Sequence, residues 1–220
     1  MEFFHDVNSG DVLELRQSVE NKEFFLAFKR MFDIAVSTFL IIFFSPLMVF
    51  LAIMIKLTSK GPILFKQIRV GHYGQEFVMY KFRSMEQNSD KDYTNIKNEI
   101  INGTFVKQNG DPRITKFGKY LRQTSLDELP QFFNVLMGDM SLVGPRPSEI
   151  TLCGNEYQRS IRTIVKPGMT GLWQIKNRAH STLGEMINYD IEYIENIGFW
   201  MDLYIILRTI PAVILADGAY

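Results

Sequence analysis

The sequence predicts a mainly helical α+β chain seated on one face of a membrane. It combines an N-terminal re-entrant helix, broken at its middle, with a cytosolic domain that carries a small β-hairpin. Three observations predict this. Residues 34–55, IAVSTFLIIFFSPLMVFLAIMI, run for 22 residues without a charge. Ser45-Pro46 falls at the midpoint of that run, and basic residues flank both of its ends. Downstream, two β-rich runs flank Gly71-His72-Tyr73-Gly74, a glycine-bounded turn.

The bulk composition narrows the function classes. A chain of 220 residues holds one domain, or one domain with an attached element. The formal net charge is zero, so no overall field recruits nucleic acid, and nothing in the sequence sets an oligomeric state. One cysteine, Cys153, excludes an internal disulfide, and three scattered histidines offer no zinc-type cluster. Neither a Walker sequence nor G-x-G-x-x-G is present. The predicted organisation is an acidic arm over 1–28, a membrane segment over 29–60 and a cytosolic domain over 61–220. The arm holds six acids and two bases, whereas residues 56–83 hold six bases and one acid.

As one straight helix, residues 34–55 would span about 33 Å, enough for a hydrocarbon core of about 30 Å. The run is too long for a signal-peptide core, and an acidic stretch precedes it. Pro46 removes a helical hydrogen bond, and the Ser45 hydroxyl can take up a freed carbonyl that lipid cannot satisfy. Lys29 and Arg30 precede the run, and Lys56 and Lys60 follow it. Positive residues mark the cytoplasmic side, and here they mark both ends. Each half is about 17 Å long, roughly half the hydrocarbon thickness, so the segment is read as entering and leaving by the same face; the alternative is an ordinary span kinked at Pro46, since proline is tolerated in membrane helices.

The remaining elements follow in chain order. Residues 61–85 form the hairpin, with Lys81 and Arg83 two apart and therefore on one strand face. Residues 86–110 hold five asparagines and read as a surface connection or lid. Arg113, Lys116, Lys119 and Arg122 recur about every third position, which in a helix makes a basic ridge along one side. In TSLDELPQ (124–131), Asp127 is a suitable N-cap, with Pro130 in the first turn and FFNVLM continuing the helix. The same two acids are also candidates for chemistry. In GDMSLVGPRP, Pro145 and Pro147 restrict the backbone on both sides of Arg146. VKPGMTGLWQI has two turn glycines and ends in an apolar, strand-like run. Residues 197–215, with Trp200 and Tyr204, suit an interfacial helix and equally the core helix of a soluble domain.

The blocks DPRITKFGKYLRQTSLDELPQFFNVLMGDMSLVGPRP, KPGMTGLWQI, YKFRSM and the terminal DGAY resemble the bacterial sugar transferase family, the small monotopic phosphoglycosyl transferases. The resemblance runs from about Lys29 to Tyr220. It implies a cytosolic catalytic domain at the bacterial inner membrane, anchored among its lipids by a re-entrant helix broken at Ser45-Pro46. It also implies transfer of a phospho-sugar from a nucleoside diphosphate sugar, usually a uridine one, to polyprenyl phosphate, with Mg²⁺ as cofactor. Asp127 matches the family's nucleophile, which forms a phosphosugar-enzyme intermediate, and Glu128 matches its metal-holding glutamate. Pro145, Arg146 and Pro147 match the Pro-Arg-Pro that binds the sugar nucleotide. Lys81, Arg83, Arg113 and Arg122 fall inside matched blocks, whose basic residues are expected at the phosphates.

Electrostatics explains why an acid pair would need such company. A carboxylate about 4 Å from each of two phosphate charges is repelled by about 8 kcal/mol at an effective dielectric near 20. That is roughly six decades in rate unless cations offset it. The rival reading is a membrane-surface adaptor that binds anionic lipid through its basic clusters. It needs neither the adjacent acids nor the constrained Arg146.

Overall fold

A computed structural model of the chain describes residues 9–86, 113–147, 156–176 and 183–214. The asparagine-rich stretch, Cys153 and the terminal DGAY lie wholly or almost wholly outside these residues. Helix α1 (Ser9–Glu20) leads into α2 (Glu23–Thr58), a 36-residue helix. Strands β1 (Leu64–Val70) and β2 (Glu76–Phe82) form the antiparallel hairpin, with Val70 opposite Glu76 and Leu64 opposite Phe82. Helix α3 (Lys116–Gln123) follows, capped by the Thr115 hydroxyl, which accepts from the Gly118 N–H at 2.8 Å. A 3₁₀ turn over Leu126–Glu128 then precedes α4 (Gln131–Met137). Strand β3 (Ser141–Val143) pairs in parallel with β4 (Gly168–Thr170), and α5 (Glu156–Arg162) lies between them in sequence. The chain continues through α6 (Leu172–Lys176), α7 (Leu183–Glu195) and α8 (Phe199–Ile214).

Two findings revise the sequence reading of the membrane segment. The helix begins at Glu23, inside the stretch read as the acidic arm. It also runs on through Pro46, where two helices and a break were expected. The reason is local. Pro46 leaves the Ile42 carbonyl without its N–H donor, and the Ser45 hydroxyl donates to that carbonyl at 2.8 Å. α2 is the one helix among the described residues long and apolar enough to cross a membrane. Only 11% of its most apolar stretch is buried, so large side chains such as Phe39, Ile42, Phe43 and Phe50 face outward.

Both ends of α2 dock on the same domain. At its upstream end the Asp33 carboxylate accepts from the Leu142 N–H at 3.0 Å, and Lys29 donates to the Val143 carbonyl at 3.0 Å. Arg30 donates to the carbonyls of Val135 and Leu136, the last turn of α4, where a cation also meets the negative end of the helix dipole. At its downstream end Leu51 and Ile55 are buried with Phe82, Leu121 and Leu129. The main core, including Val135, Met140, Val143, Ile161, Leu172 and Ile194, joins α4 to α8 with β3.

The last helix, α8, exposes Phe199, Trp200, Leu207 and Ile210 while burying Ile205 and Asp202, so one side is apolar and uncovered. Phe199 meets Phe28 of α2 edge-to-face at 6.1 Å between ring centres, which makes the two apolar faces continuous. The sequence also predicts a strand at the end of VKPGMTGLWQI. The strand is instead Gly168–Thr170, and Leu172–Lys176 is helical. A Cβ on Gly168 would lie 2.1 Å from the Gly144 nitrogen, so the close approach of β4 to the end of β3 requires glycine there.

Candidate active site

The acid pair is not the helix cap that its local sequence predicts. Ser125 adopts a left-handed conformation (φ 55°), and Leu126–Glu128 form a single 3₁₀ turn. Pro130 directly precedes α4, so the helix starts three residues after Glu128. Leu126 and Leu129 anchor the turn in the apolar cluster beneath the downstream end of α2. Asp127 is left 9% exposed, and no hydrogen bond reaches its carboxyl group among the described residues.

Three cations surround this turn. Lys81, next to the end of β2, donates to Glu128 Oε1 at 2.9 Å. Arg146 reaches the same oxygen at 3.2 Å. Arg122 is held by the Ser84 hydroxyl at 2.9 Å. Burial raises the Asp127 carboxyl to about 6, with the neighbouring Glu128 charge pushing the same way; Lys81, Arg122 and Arg146 pull it down.

Elements distant in sequence fix these cations. Asn134 of α4 accepts from the Tyr80 N–H at 3.0 Å and donates to the Val78 carbonyl at 2.7 Å. That ties β2 to α4 and sets Lys81 against the acid turn. Arg146 follows β3, and the Pro145 carbonyl accepts from the Gly168 N–H at 2.8 Å. The Arg146 carbonyl accepts from Arg162, whose guanidinium is ion-paired with Asp190 at 2.7 Å, both side chains being buried. Burial raises Asp190 to about 6, against the pull of Arg162 and Arg146. The Arg146 guanidinium lies 5.9 Å from the ring centre of Trp173.

Of the residues singled out in sequence, the structure brings Asp127, Glu128, Lys81, Arg122 and Arg146 together, with Pro145 and Pro147 buried beside Arg146. Arg83 is not among them. β2 ends at Phe82, so the two-residue alternation that would align Arg83 with Lys81 no longer applies. Its guanidinium donates to the Pro62 carbonyl and, at 2.8 Å each, to the Ser59 carbonyl and hydroxyl, closing the loop after α2. Arg113 precedes α3, and its carbonyl accepts from the Glu86 N–H at 2.8 Å. Lys116 and Lys119 lie on the exposed side of α3, so the basic ridge divides between solvent and site. Sequence reasoning missed Trp173, Arg162, Asp190 and Asn134. The apolar flanks of Trp173 and Asn134 signal burial, but the partners come from other elements.

Among the described residues no three His, Cys, Asp or Glu side chains gather as a metal cage. The donor set is Asp127 and Glu128. It suits Mg²⁺, which is commonly held through one or two carboxylates with substrate phosphates and water as the remaining ligands. An apolar cavity of about 640 Å³ lies between α2 and the residues that neighbour Lys81 and Glu128 in sequence. Met48 and Ala52 of α2, Tyr80 and Phe82 of β2, and Pro130 and Phe133 line it.

The fold and site thus define a domain with one long, outward-facing apolar helix and an acid pair, Asp127 buried and Glu128 half-buried, set among Lys81, Arg122 and Arg146. Comparison with known proteins gives the family: the chain belongs to the bacterial sugar transferases, whose sequence model matches residues 24–216. It is 43% identical over 208 residues to a UDP-glucose:undecaprenyl-phosphate glucose-1-phosphate transferase of Klebsiella pneumoniae, covering 89% of this chain and 42% of that protein. It is 41% identical to a UDP-N-acetylgalactosamine-undecaprenyl-phosphate N-acetylgalactosaminephosphotransferase of Aeromonas hydrophila, covering 87% and 44%. It is 37% identical to the exopolysaccharide production protein ExoY of Sinorhizobium fredii, covering 87% and 88%. The chain spans about two-fifths of the length of the first two relatives and most of the third.

Proposed function

We propose that this chain is a phosphoglycosyl transferase that moves a phospho-sugar from a uridine diphosphate sugar to polyprenyl phosphate, an early membrane step of bacterial polysaccharide assembly. The observation that carries this is the Asp127–Glu128 turn, in which a buried carboxyl that has no hydrogen bond among the described residues faces Lys81, Arg122 and Arg146. The names of the relatives support the substrate classes.

In the first half-reaction an Asp127 oxygen attacks the sugar-bearing phosphorus. The bond from that phosphorus to the bridging oxygen breaks, and uridine monophosphate leaves with the electron pair. In the second, an oxygen of the lipid phosphate attacks the same phosphorus, and the Asp127 carboxylate departs as the leaving group. Covalent catalysis suits two substrates of different solubility, because they need not be bound together. Lys81 and Arg146 hold Glu128 in place, and Arg122 adds positive charge beside Asp127. Glu128, with Asp127 beside it, would hold Mg²⁺, which when bound supplies positive charge against the diphosphate and the leaving phosphate.

The docking of both ends of α2 on one domain supports re-entrant insertion, with the catalytic domain on the cytoplasmic face. The exposed apolar faces of α2 and α8 supply the surface that lies in lipid. The cavity between α2 and Pro130 supports approach of the lipid acceptor from the bilayer side. A screen of nucleotide sugars tests the proposal. One uridine diphosphate sugar should give monophosphate release that EDTA blocks; no release with any of them, in detergent or in bilayers, sinks it.

A further inference from the structure

A second apolar cavity, of about 130 Å³, lies where the upstream end of α2 meets α8. Neither Asp127 nor Glu128 lines it, and neither do Lys81, Arg122 and Arg146. Its walls differ in exposure. Phe28 and Phe32 of α2 and Phe199 of α8 are 46%, 41% and 46% exposed, whereas Leu142 and Val143 of β3 are buried. The space therefore runs from an uncovered aromatic rim down to the strand.

The polar groups in its wall are already engaged. Lys29 donates to the Asp202 carboxylate and the Val143 carbonyl, Asp202 also accepts from the Tyr193 hydroxyl, and Asp33 accepts from the Leu142 N–H. An occupant meets hydrocarbon and closed polar pairs, so it needs no polar group of its own. An apolar cavity of about 150 Å³ stays dry and takes a molecule the size of benzene. This one has comparable room, enough for the last few carbons of a chain and too little for a headgroup. Left empty, such a space costs stability in proportion to its volume.

The surface next to the rim indicates the occupant. The Trp200 ring, 77% exposed, meets Phe199 edge-to-face at 5.2 Å, and Phe199 meets Phe28. The uncharged run of α2 begins at Ile34, directly after the lining residue Asp33. Aromatic rings beside an uncharged helix are the side chains found at the boundary of a bilayer. We infer that this cavity takes the end of an acyl chain from a phospholipid of the surrounding bilayer. It rests on the membrane seating proposed above. The chain end fills the joint between α2 and α8, beside the Lys29–Asp202 pair that closes it.

The test uses the full chain in nanodiscs of phosphatidylethanolamine and phosphatidylglycerol, one copy to a disc. Some of the phosphatidylethanolamine carries a diazirine, either at the end of an acyl chain or beside the glycerol. Adducts formed on irradiation are mapped by peptide mass spectrometry, with Phe39–Phe43 on the outward face of α2 as the reference. We expect the chain-end probe to label Leu142 and Val143, and the glycerol-side probe to leave them unlabelled. Leu203→Phe fills the cavity and should cut labelling of β3 about tenfold, with the reference unchanged. Ile206→Phe is a second filling variant, used if Tm shows that the first folds poorly. Excess polyprenyl phosphate should leave the pattern as it is. A labelled reference with unlabelled β3 overturns the inference and gives the rim to a second copy of the chain or another protein. Undiminished β3 labelling in a folded filling variant, or its loss on adding polyprenyl phosphate, also overturns it. Failure of the membrane seating would look different, because no residue of α2 would then be labelled.

Discussion

Two buried acids sit in this molecule in opposite circumstances. Asp202 of α8 accepts from Lys29 at 2.5 Å and from the Tyr193 hydroxyl at 2.8 Å, so both of its oxygens are engaged. Lys29 also donates to the Val143 carbonyl, and the cluster joins the upstream end of α2 to β3 and α8. Asp127 is as deeply placed, yet its carboxyl receives no hydrogen bond among the described residues, and its cations arrange themselves around Glu128 instead. Burial pushes both carboxyls up. The closed cluster joins the upstream end of α2 to the domain, and the open one leaves the Asp127 oxygens without a donor among the described residues. The same residue type serves fold in one region and, under the proposed function, chemistry in the other, and the partners make the difference.

The sharpest way to break this comparison is activity. Asp127→Asn should lower monophosphate release in the absence of acceptor by at least about 10³-fold, in line with losses on removing a nucleophile. Asp202→Ala should instead act through stability. It leaves Lys29 buried without its acid, which costs about 3 kcal/mol and lowers Tm by roughly 6–12 °C in a chain of this size. Normal Tm in that variant would mean the cluster does not hold α2 to the domain.

Smaller effects sharpen the contrast. The attacking form of Asp127 is the anion, so the donor half-reaction should rise with pH, level off above about 6, and fall roughly tenfold per unit below it. A flat profile from pH 5 to 8 would separate Asp127 from the chemistry. The smallest effect runs against the usual direction of mutation. A folded pKa of about 6 lies above the usual carboxylate value near 4, so the folded protein holds the proton more tightly. Stability from this group is fully present below about pH 4 and is lost as pH rises to about 6. Asn does not titrate, so Asp127→Asn should be the more stable protein at pH 7.5, by about 1 kcal/mol or roughly 2–4 °C in Tm, with the gap closing near pH 4. A drop in Tm would place Asp127 with the structural acids.

The sequence made much of this legible because the informative signals were local. An uncharged run with Ser45-Pro46 at its centre, two β-rich stretches around a glycine turn and an Asp-Glu pair each lie within a short window. Even the Ser45 hydroxyl bond to the carbonyl freed by Pro46 follows from neighbours in the chain. The illegible parts depend on long-range closure. Pro130 lies ahead of α4 because Leu126 and Leu129 pin the turn beneath α2, which moves Asp127 out of the cap position. Arg83 departs from Lys81 because the strand ends at Phe82 and the loop after α2 captures its guanidinium. The pairing of β3 with β4, and the hold of Arg162 and Asp190 on the Arg146 backbone, join segments that no periodicity connects.

The most direct measurement concerns the Asp127 side chain itself. Purified protein incubated with its uridine diphosphate sugar, Mg²⁺ and no lipid acceptor, then quenched and digested, should yield a sugar-phosphate adduct on the peptide carrying Asp127. One equivalent of uridine monophosphate should accompany it, and added polyprenyl phosphate should discharge the adduct. Monophosphate that appears only once acceptor is present, with no adduct at Asp127, would contradict the account and point to direct transfer between the two substrates.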